Sequence, residues 1–345
     1  MVSAGPGCLG PDVTLSEKST RERLARFIAR ASGARQAAIG LLEPMRGGAV
    51  QENWALDVEL DGQPRRWVLR TDAAATVRES LTREQEFAVL RIAHEANVLA
   101  PEPLFLCDDP DVTGRLFFIM ERLPGVAAGH RLTRDPKLVP DGRSLARELA
   151  ANLARLHRIT PAHAGLEFLP TMLARDCIAH YRSYLDTLSR AYPALEWGLR
   201  WCETNAPQRE DATLIHRDYR TGNYLVHDGR LTGLLDWEFS AFGNPLEDIG
   251  WLCARAWRFA RADLEVGGIA GVADFVPHYE QLSGRRVMPG DLRYWQVMAH
   301  VRWAIIALQQ VERHLSGVQR SLELALTGHT IGQTELEILN LTGAP

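Results

Sequence analysis

The sequence predicts an α+β chain in two lobes. A small antiparallel sheet with one key helix comes first, to about residue 122, and a mainly helical lobe follows. Three observations carry this. Short strand-like runs crowd the first 122 residues, and Asp61-Gly62, a hairpin turn signal, joins two of them. Residues 161 to 205 and 256 to 340 are patterned as helices, punctuated by Pro and Gly. Between those stretches lies a polar loop followed by an Asp-Gly hairpin, His216 to Glu238, which gathers two carboxylates and an amide.

Composition narrows the function. The 345 residues are 46% apolar, enough for a large core or two lobes around a cleft. The 39 basic and 43 acidic residues give a formal charge of −4, which argues against a nucleic-acid partner. No apolar run is long enough to span a bilayer, so no membrane partner is expected. Met1 to Pro11 has neither a basic nor an apolar signal region. The five cysteines are scattered and include no C-x-x-C, so reduced thiols and a cytoplasmic location are expected. Oligomeric state cannot be read. Lys18 and Lys137 are the only lysines, which limits the residues that could hold phosphate.

Residues 1–14 are expected to be a disordered terminus, 15–122 the N-lobe and 123–345 the C-lobe. Gly5-Pro6-Gly7-Cys8-Leu9-Gly10 matches G-x-G-x-x-G, but no strand can precede it and Pro11 follows where a helix should open. Ser16 to Ala31 reads as a helix, with Ser16 as a possible cap and Leu24, Phe27 and Ile28 on one side. Ala37 to Leu42, Trp54 to Leu60 and Arg66 to Thr71 read as strands. Gly47, Gly48 and Ala49, between the first two, are small enough for their N–H groups to approach phosphate. Thr76 to Ala96 reads as a helix whose inward stripe, Val89, Leu90 and Ala93, also carries Glu86. A carboxylate on a buried stripe needs a partner. Arg115 to Glu121 is a further strand, which leaves the sheet at Pro124-Gly125. Ser144 to Arg158 is helical, with Leu145, Leu149, Leu153 and Leu156 as core and His157 as a capping or solvated residue.

The loop and hairpin carry the chemistry. Thr213-Leu214-Ile215 fits a short buried strand that delivers His216 to Asn223. Tyr224 to His227 and Leu231 to Leu235 pair through Asp228-Gly229, which brings Asp236 back beside Asn223. Phosphoryl transfer from ATP uses such a set: an Asp beside the acceptor hydroxyl, and an Asn and an Asp that hold magnesium. An H-x-D triplet alone is a common turn; the strand, hairpin and returning Asp236 make this string specific.

The segment from Leu214 to Trp251 resembles the catalytic core of the aminoglycoside phosphotransferase family, whose members share the protein-kinase-like fold. It is similar in particular to the kinase-like domains attached to acyl-CoA dehydrogenases. The matching pieces are Glu52-Asn53-Trp54, Val68-Leu69-Arg70, Met120-Glu121, Asp218 with Asn223, Asp236-Trp237-Glu238, and Gly243-Asn244-Pro245 with Asp248. The resemblance implies an ATP- and magnesium-dependent phosphotransferase acting on a small-molecule hydroxyl, with nucleotide in the cleft between lobes. It pairs Glu86 with Arg70, where most kinases have lysine. It gives backbone groups from Glu121 to Leu123 the adenine edge, and Asp248 the task of tying the catalytic loop to the next helix. Asp218 would take the acceptor proton, Asn223 and Asp236 would hold the metal, and Arg220 could reach the transferred phosphoryl group.

The acceptor stays open. Residues 161–205 and 240–345 hold 16 acidic and 13 basic residues, too small an excess to favour a polycationic antibiotic. A metabolic alcohol or hydroxyacyl compound is preferred, with an aminoglycoside as the alternative. A catalytically silent nucleotide-binding module is the alternative of another class. Arg70 speaks for it; the intact Asp218, Asn223 and Asp236 speak against it.

Overall fold

The structure, a computed structural model, describes residues 15, 17–45, 51–72, 80–208, 210–259 and 261–343. The expected disordered terminus, Ser16, and the phosphate-loop candidates Gly47, Gly48 and Ala49 lie outside the described residues. The chain divides into two compact units. One takes in residues to His94 and Pro101–Leu123; the other takes in Glu95–Ala100 and Pro124–Pro345. The sequence reading put 95–100 in the N-lobe. They group with the second unit because Leu99 is held there. Its N–H donates to Asn152 Oδ1 at 2.6 Å, and its carbonyl accepts from Asn152 Nδ2 and from the Leu234 N–H.

In the first unit, α1 (Lys18–Ser32) precedes β1 (Ala37–Pro44), β2 (Gln51–Leu60) and β3 (Gln63–Asp72). Then come α2 (Arg83–Glu95), β4 (Pro103–Cys107), the single turn α3 (Pro110–Thr113) and β5 (Phe117–Glu121). The sheet is antiparallel, in the order β1-β2-β3-β5-β4. Asp61 and Gly62, both at positive φ (46° and 82°), make the tight β2–β3 turn. β4 was not read from the sequence; it opens on Pro103, which an edge strand tolerates.

β3 is buried from Trp67 to Thr71 because both its faces are covered. Trp67 and Leu69 point into a core formed with Leu24 and Ile28 of α1 and with Phe117 and Ile119 of β5. Arg70 alternates to the opposite face. There Phe87 of α2 meets Phe118, the register partner of Arg70, edge-on at 5.8 Å. α2 begins later than the periodicity suggested. Ser80 to Thr82 are not helical, since Thr82 and Gln85 form a reciprocal cap: Gln85 Oε1 accepts the Thr82 N–H at 3.0 Å, and Thr82 Oγ1 accepts the Gln85 N–H at 3.3 Å.

The second unit has α4 (Gly129–Leu132), α5 (Gly142–Leu156), β6 (Thr171–Met172), α6 (Ala174–Leu185), α7 (Pro193–Asn205), β7 (Thr213–Ile215), β8 (Tyr224–His227), β9 (Arg230–Leu234), β10 (Ala241–Gly243) and α8 (Leu246–Leu252). After these come α9 (Val272–Ser283), α10 (Pro289–Leu315), α11 (Leu322–Thr327) and α12 (Ile331–Thr342). α5 starts two residues early because the Asp141 side chain accepts the N–H groups of Arg143 and Ser144. Its leucine stripe is fully buried. β7 pairs with β10, and β8 with β9 through Asp228-Gly229, again both at positive φ. α8 lies directly on α10: a Cβ on Gly250 would stand 2.6 Å from the backbone of Trp295. Among the described residues no helix is long and apolar enough to cross a membrane.

Gly250→Ala should therefore separate α8 from α10, since rigid backbone cannot yield as a side chain can. We expect a loss of roughly 1–3 kcal/mol, the usual range for overpacking, read from urea unfolding. An unchanged midpoint would mean that the contact relaxes freely.

Candidate active site

The loop after β7 hangs on one buried carboxylate. Asp248, on α8, accepts the N–H of His216 at 2.8 Å on Oδ2 and the N–H of Arg217 at 2.7 Å on Oδ1. His157 Nε2 lies 3.2 Å from Oδ2, and His157 Nδ1 lies 2.8 Å from the Tyr279 hydroxyl. Burial alone would raise the Asp248 carboxyl. The hydrogen bonds from His157 and from the His216 N–H oppose it, and the group is held below the usual carboxylate range. Burial pushes His157 down, toward the neutral form. A neutral ring that donates from Nε2 to Asp248 and accepts the Tyr279 O–H satisfies all three groups. His157 is thus neither solvated nor a mere helix cap, as the sequence reading had it; it braces Asp248 from the end of α5.

His216 fixes the loop from inside. Its Nδ1 accepts the Asp218 N–H at 3.2 Å, so the proton sits on Nε2, which donates to the Leu235 carbonyl at 2.9 Å. Burial pushes this imidazole down as well. The contact joins the loop to the strand end that carries Asp236. The Leu235 N–H returns to the Asn223 carbonyl at 2.7 Å. The structure therefore brings Asp218, Asn223 and Asp236 onto one short scaffold. Arg217 and Asp236 both hold left-handed φ values, 62° and 61°, which non-glycine residues adopt at a cost and which gather at functional sites.

Asp218 accepts hydrogen bonds from three side chains. Trp251 Nε1 donates to Oδ1 at 2.8 Å. Arg220 Nε lies 3.1 Å from Oδ1 and 3.3 Å from Oδ2. Asn223 Nδ2 donates both to Oδ2 and, at 3.1 Å, to the Asp218 carbonyl. Since the Asn223 amide hydrogens go to Asp218, its Oδ1 faces the other way. Arg220 also lies over Trp257, 4.5 Å from the ring centre. The structure shows it bound to Asp218 rather than reaching out from the loop.

In the first unit, Arg70 and Glu86 form a buried ion pair, with Nε–Oε2 at 3.1 Å and Nη2–Oε1 at 2.9 Å. Three further members had no role assigned in the sequence reading, although Asn53 stands in the matching Glu52-Asn53-Trp54 piece. Arg83 also bonds Glu86 and reaches Asp72 at 2.9 Å, and Asn53, opposite Arg70 in the β2–β3 register, accepts from its Nη1 at 3.3 Å. Arg83 was findable, since it sits three residues before Glu86 on a helix. Trp251 was not, because it reaches Asp218 across 33 residues. Of the residues expected at the adenine edge, Glu121 donates its N–H to the Glu102 carbonyl and Arg122 donates its N–H to the Arg66 carbonyl.

A strand-loop-hairpin with this triad and a β3–α2 ion pair defines a protein-kinase-like phosphotransferase fold, and the comparisons agree. Residues 42–284 match the sequence model of the phosphotransferase enzyme family. The chain belongs to that family. It is similar to acyl-CoA dehydrogenase family member 11 of Gallus gallus, 26% identical over 341 residues, covering 91% of this chain and 43% of that protein. The chain thus spans less than half the length of this relative. A putative aminoglycoside phosphotransferase from Ralstonia eutropha superposes with a TM-score of 0.76 at 23% identity, over 93% of this chain and 98% of its own. A thermostable mutant of aminoglycoside phosphotransferase APH(4)-Ia, in complex with AMP-PNP and hygromycin B, gives 0.57 at 16% identity, over 93% and 99%. At these identities the structural likeness concerns the fold.

The buried imidazoles make stability depend on pH. Burial takes His300 down to about 4 and lowers His157 and His216. Below about pH 6.5 the unfolded chain takes up protons that these three refuse when folded. Stability should be complete above that pH and fall as pH drops, with the Asp248 contribution lost at lower pH still. Urea midpoints at pH 7.5 and 5 test this, and His300→Gln should shrink the difference. Equal midpoints in the wild type would contradict it.

Proposed function

We propose that the chain transfers the γ-phosphoryl group of ATP to a hydroxyl of a small molecule, with magnesium. The observation that carries this is the Asp218–Asn223–Asp236 scaffold. A carboxylate is held by directional donors, an amide oxygen is turned outward, and a second carboxylate follows the hairpin. The donor set suits magnesium, which takes hard oxygen ligands. Asn223 Oδ1 and the Asp236 carboxylate would hold the ion, and their orientation rests on Asp218 and on the left-handed backbone at Asp236. When bound, the metal neutralises charge on the phosphates.

Asp218 orients the acceptor hydroxyl and takes its proton as the acceptor oxygen bonds to the γ-phosphorus and ADP leaves. Arg70, fixed by Glu86 and Asn53, binds nucleotide phosphate as a fork in place of the usual lysine. Gly47, Gly48 and Ala49 would add N–H groups to the same phosphates, and the Glu121 carbonyl with the Leu123 N–H would meet the adenine edge. Arg220 would turn from Asp218 to the transferred group. A metabolic alcohol or hydroxyacyl compound fits better than a polycationic antibiotic. Arg220, over Trp257 and 3.1 Å from Oδ1, already sets a cation against Asp218. The four described cysteines are free and buried, which supports a reducing, cytoplasmic setting.

Turnover of ATP with magnesium against a panel of alcohols tests the reading. Nucleotide binding without transfer to any acceptor would favour the silent module instead. Asp218→Asn should cut transfer roughly 100- to 10,000-fold with ATP affinity nearly intact; wild-type turnover in this variant would refute the assignment. Asp236→Asn should abolish the gain in ATP affinity that magnesium gives the wild type, measured by calorimetry. Arg70→Ala should raise KM for ATP and lower kcat, and Arg70→Lys should restore only part. Combined with Glu86→Ala, its losses should be non-additive; additive losses would mean that the pair does not act as a unit.

A further inference from the structure

We propose that Trp251 is a positioning residue for Asp218, fixing the plane of its carboxylate for receipt of the acceptor proton. This rests on the reading of Asp218 as the proton acceptor. A carboxylate has about four lone-pair sites, two on each oxygen. Trp251 Nε1 at 2.8 Å fills one on Oδ1, and Arg220 Nε bridges the two oxygens at 3.1 and 3.3 Å. Asn223 fills one on Oδ2. When Arg220 turns to the transferred group, Trp251 and Asn223 still hold one oxygen each, and the site that opens takes the acceptor proton.

The indole suits this task. It is a neutral donor with one N–H and no acceptor, so it neither takes a proton from the carboxylate nor competes for the incoming one. The ring cannot swing away. Arg302 lies over one face at 4.4 Å, and its Nη1 donates to the Arg217 carbonyl in the same loop. Trp257 and Trp303 pack around it with ring centres 5.2 and 6.4 Å away. One residue earlier, Gly250 presses α8 onto the Trp295 backbone. Arg220 differs. It bridges both oxygens through its own side chain and can leave during the reaction, whereas Trp251 holds the carboxylate plane throughout.

Two measurements test this on the full chain. The first follows indole N–H resonances of protein labelled with nitrogen-15 in tryptophan. In Asp218→Asn, which replaces a charged acceptor with a neutral one, one downfield indole signal should move upfield. The same signal should be missing from Trp251→Phe. This arm needs no folded Trp251 variant to show the shift; if no indole signal responds to Asp218→Asn, the contact does not form and the proposal falls. The second compares magnesium-dependent ATP hydrolysis, with water as acceptor, in Trp251→Phe and Trp303→Phe. Both lose indole packing from the same cluster, but only the first loses a donor to Asp218. Trp251→Phe should lower kcat on the order of tenfold relative to Trp303→Phe, with KM for ATP the same in both. Equal kcat values, with Asp218→Asn inactive, would overturn the positioning role and leave the phosphotransferase reading standing. Full hydrolysis by Asp218→Asn, or no transfer by the wild type to water or to any alcohol of the panel, would remove that reading and the positioning role with it.

Discussion

The Asp248 carboxylate is the contact on which the candidate site depends. It has no exposure to water, so its charge has to be met by protein groups. It is met by the N–H groups of His216 and Arg217 and by the His157 ring. Those two N–H groups belong to the loop that carries Asp218. Satisfying one buried charge on α8 therefore fixes where that loop leaves β7. His157 brings the end of α5 to the same point, and α8 is set by the Gly250–Trp295 contact with α10. Three helices and a strand thus determine one loop conformation. That leaves little freedom for the left-handed φ at Arg217 to relax.

Buried charge is handled differently around Glu86 and around Asp248. In the first unit Glu86 is shared by two arginines, and Arg70 and Glu86 are almost wholly buried. Such groups add little net stability, because their desolvation offsets their attraction, but removing one partner strands the other. They are better understood as fixing the direction of Arg70. In the second unit the donors to Asp248 are mainly neutral N–H groups, and the neighbouring histidines are kept uncharged by burial. A neutral cage adds no charge to those of the loop's own Arg217, Asp218 and Arg220. Around Asp218 a third arrangement holds, guanidinium groups stacked on indoles. The rings shield the cations from water while leaving their N–H groups free for carbonyl and carboxylate partners.

Much of this was legible in the sequence because it is local. The two Asp-Gly hairpins, the buried β7 strand and the leucine stripe of α5 depend on neighbours a few residues apart, where pattern and turn chemistry are strong. Element starts were less legible. The periodicity placed the second helix at Thr76, and the Thr82–Gln85 cap, itself a sequence signal, moves the described start to Arg83. β4 was missed because a short edge strand opening on proline has a weak pattern. Asp218, Asn223 and Asp236 could be singled out since a loop and one hairpin join them.

Only the tertiary structure decided what surrounds those three. His157 lies 91 residues from Asp248 and Trp251 lies 33 from Asp218. No periodicity relates such pairs; they meet because helices pack. The sequence by itself determined the strands, helices and chemical groups of the loop, through backbone preference and short-range spacing. Packing decided which histidine is buried and neutral and which tryptophan N–H reaches the carboxylate, because each depends on where a distant backbone comes to rest.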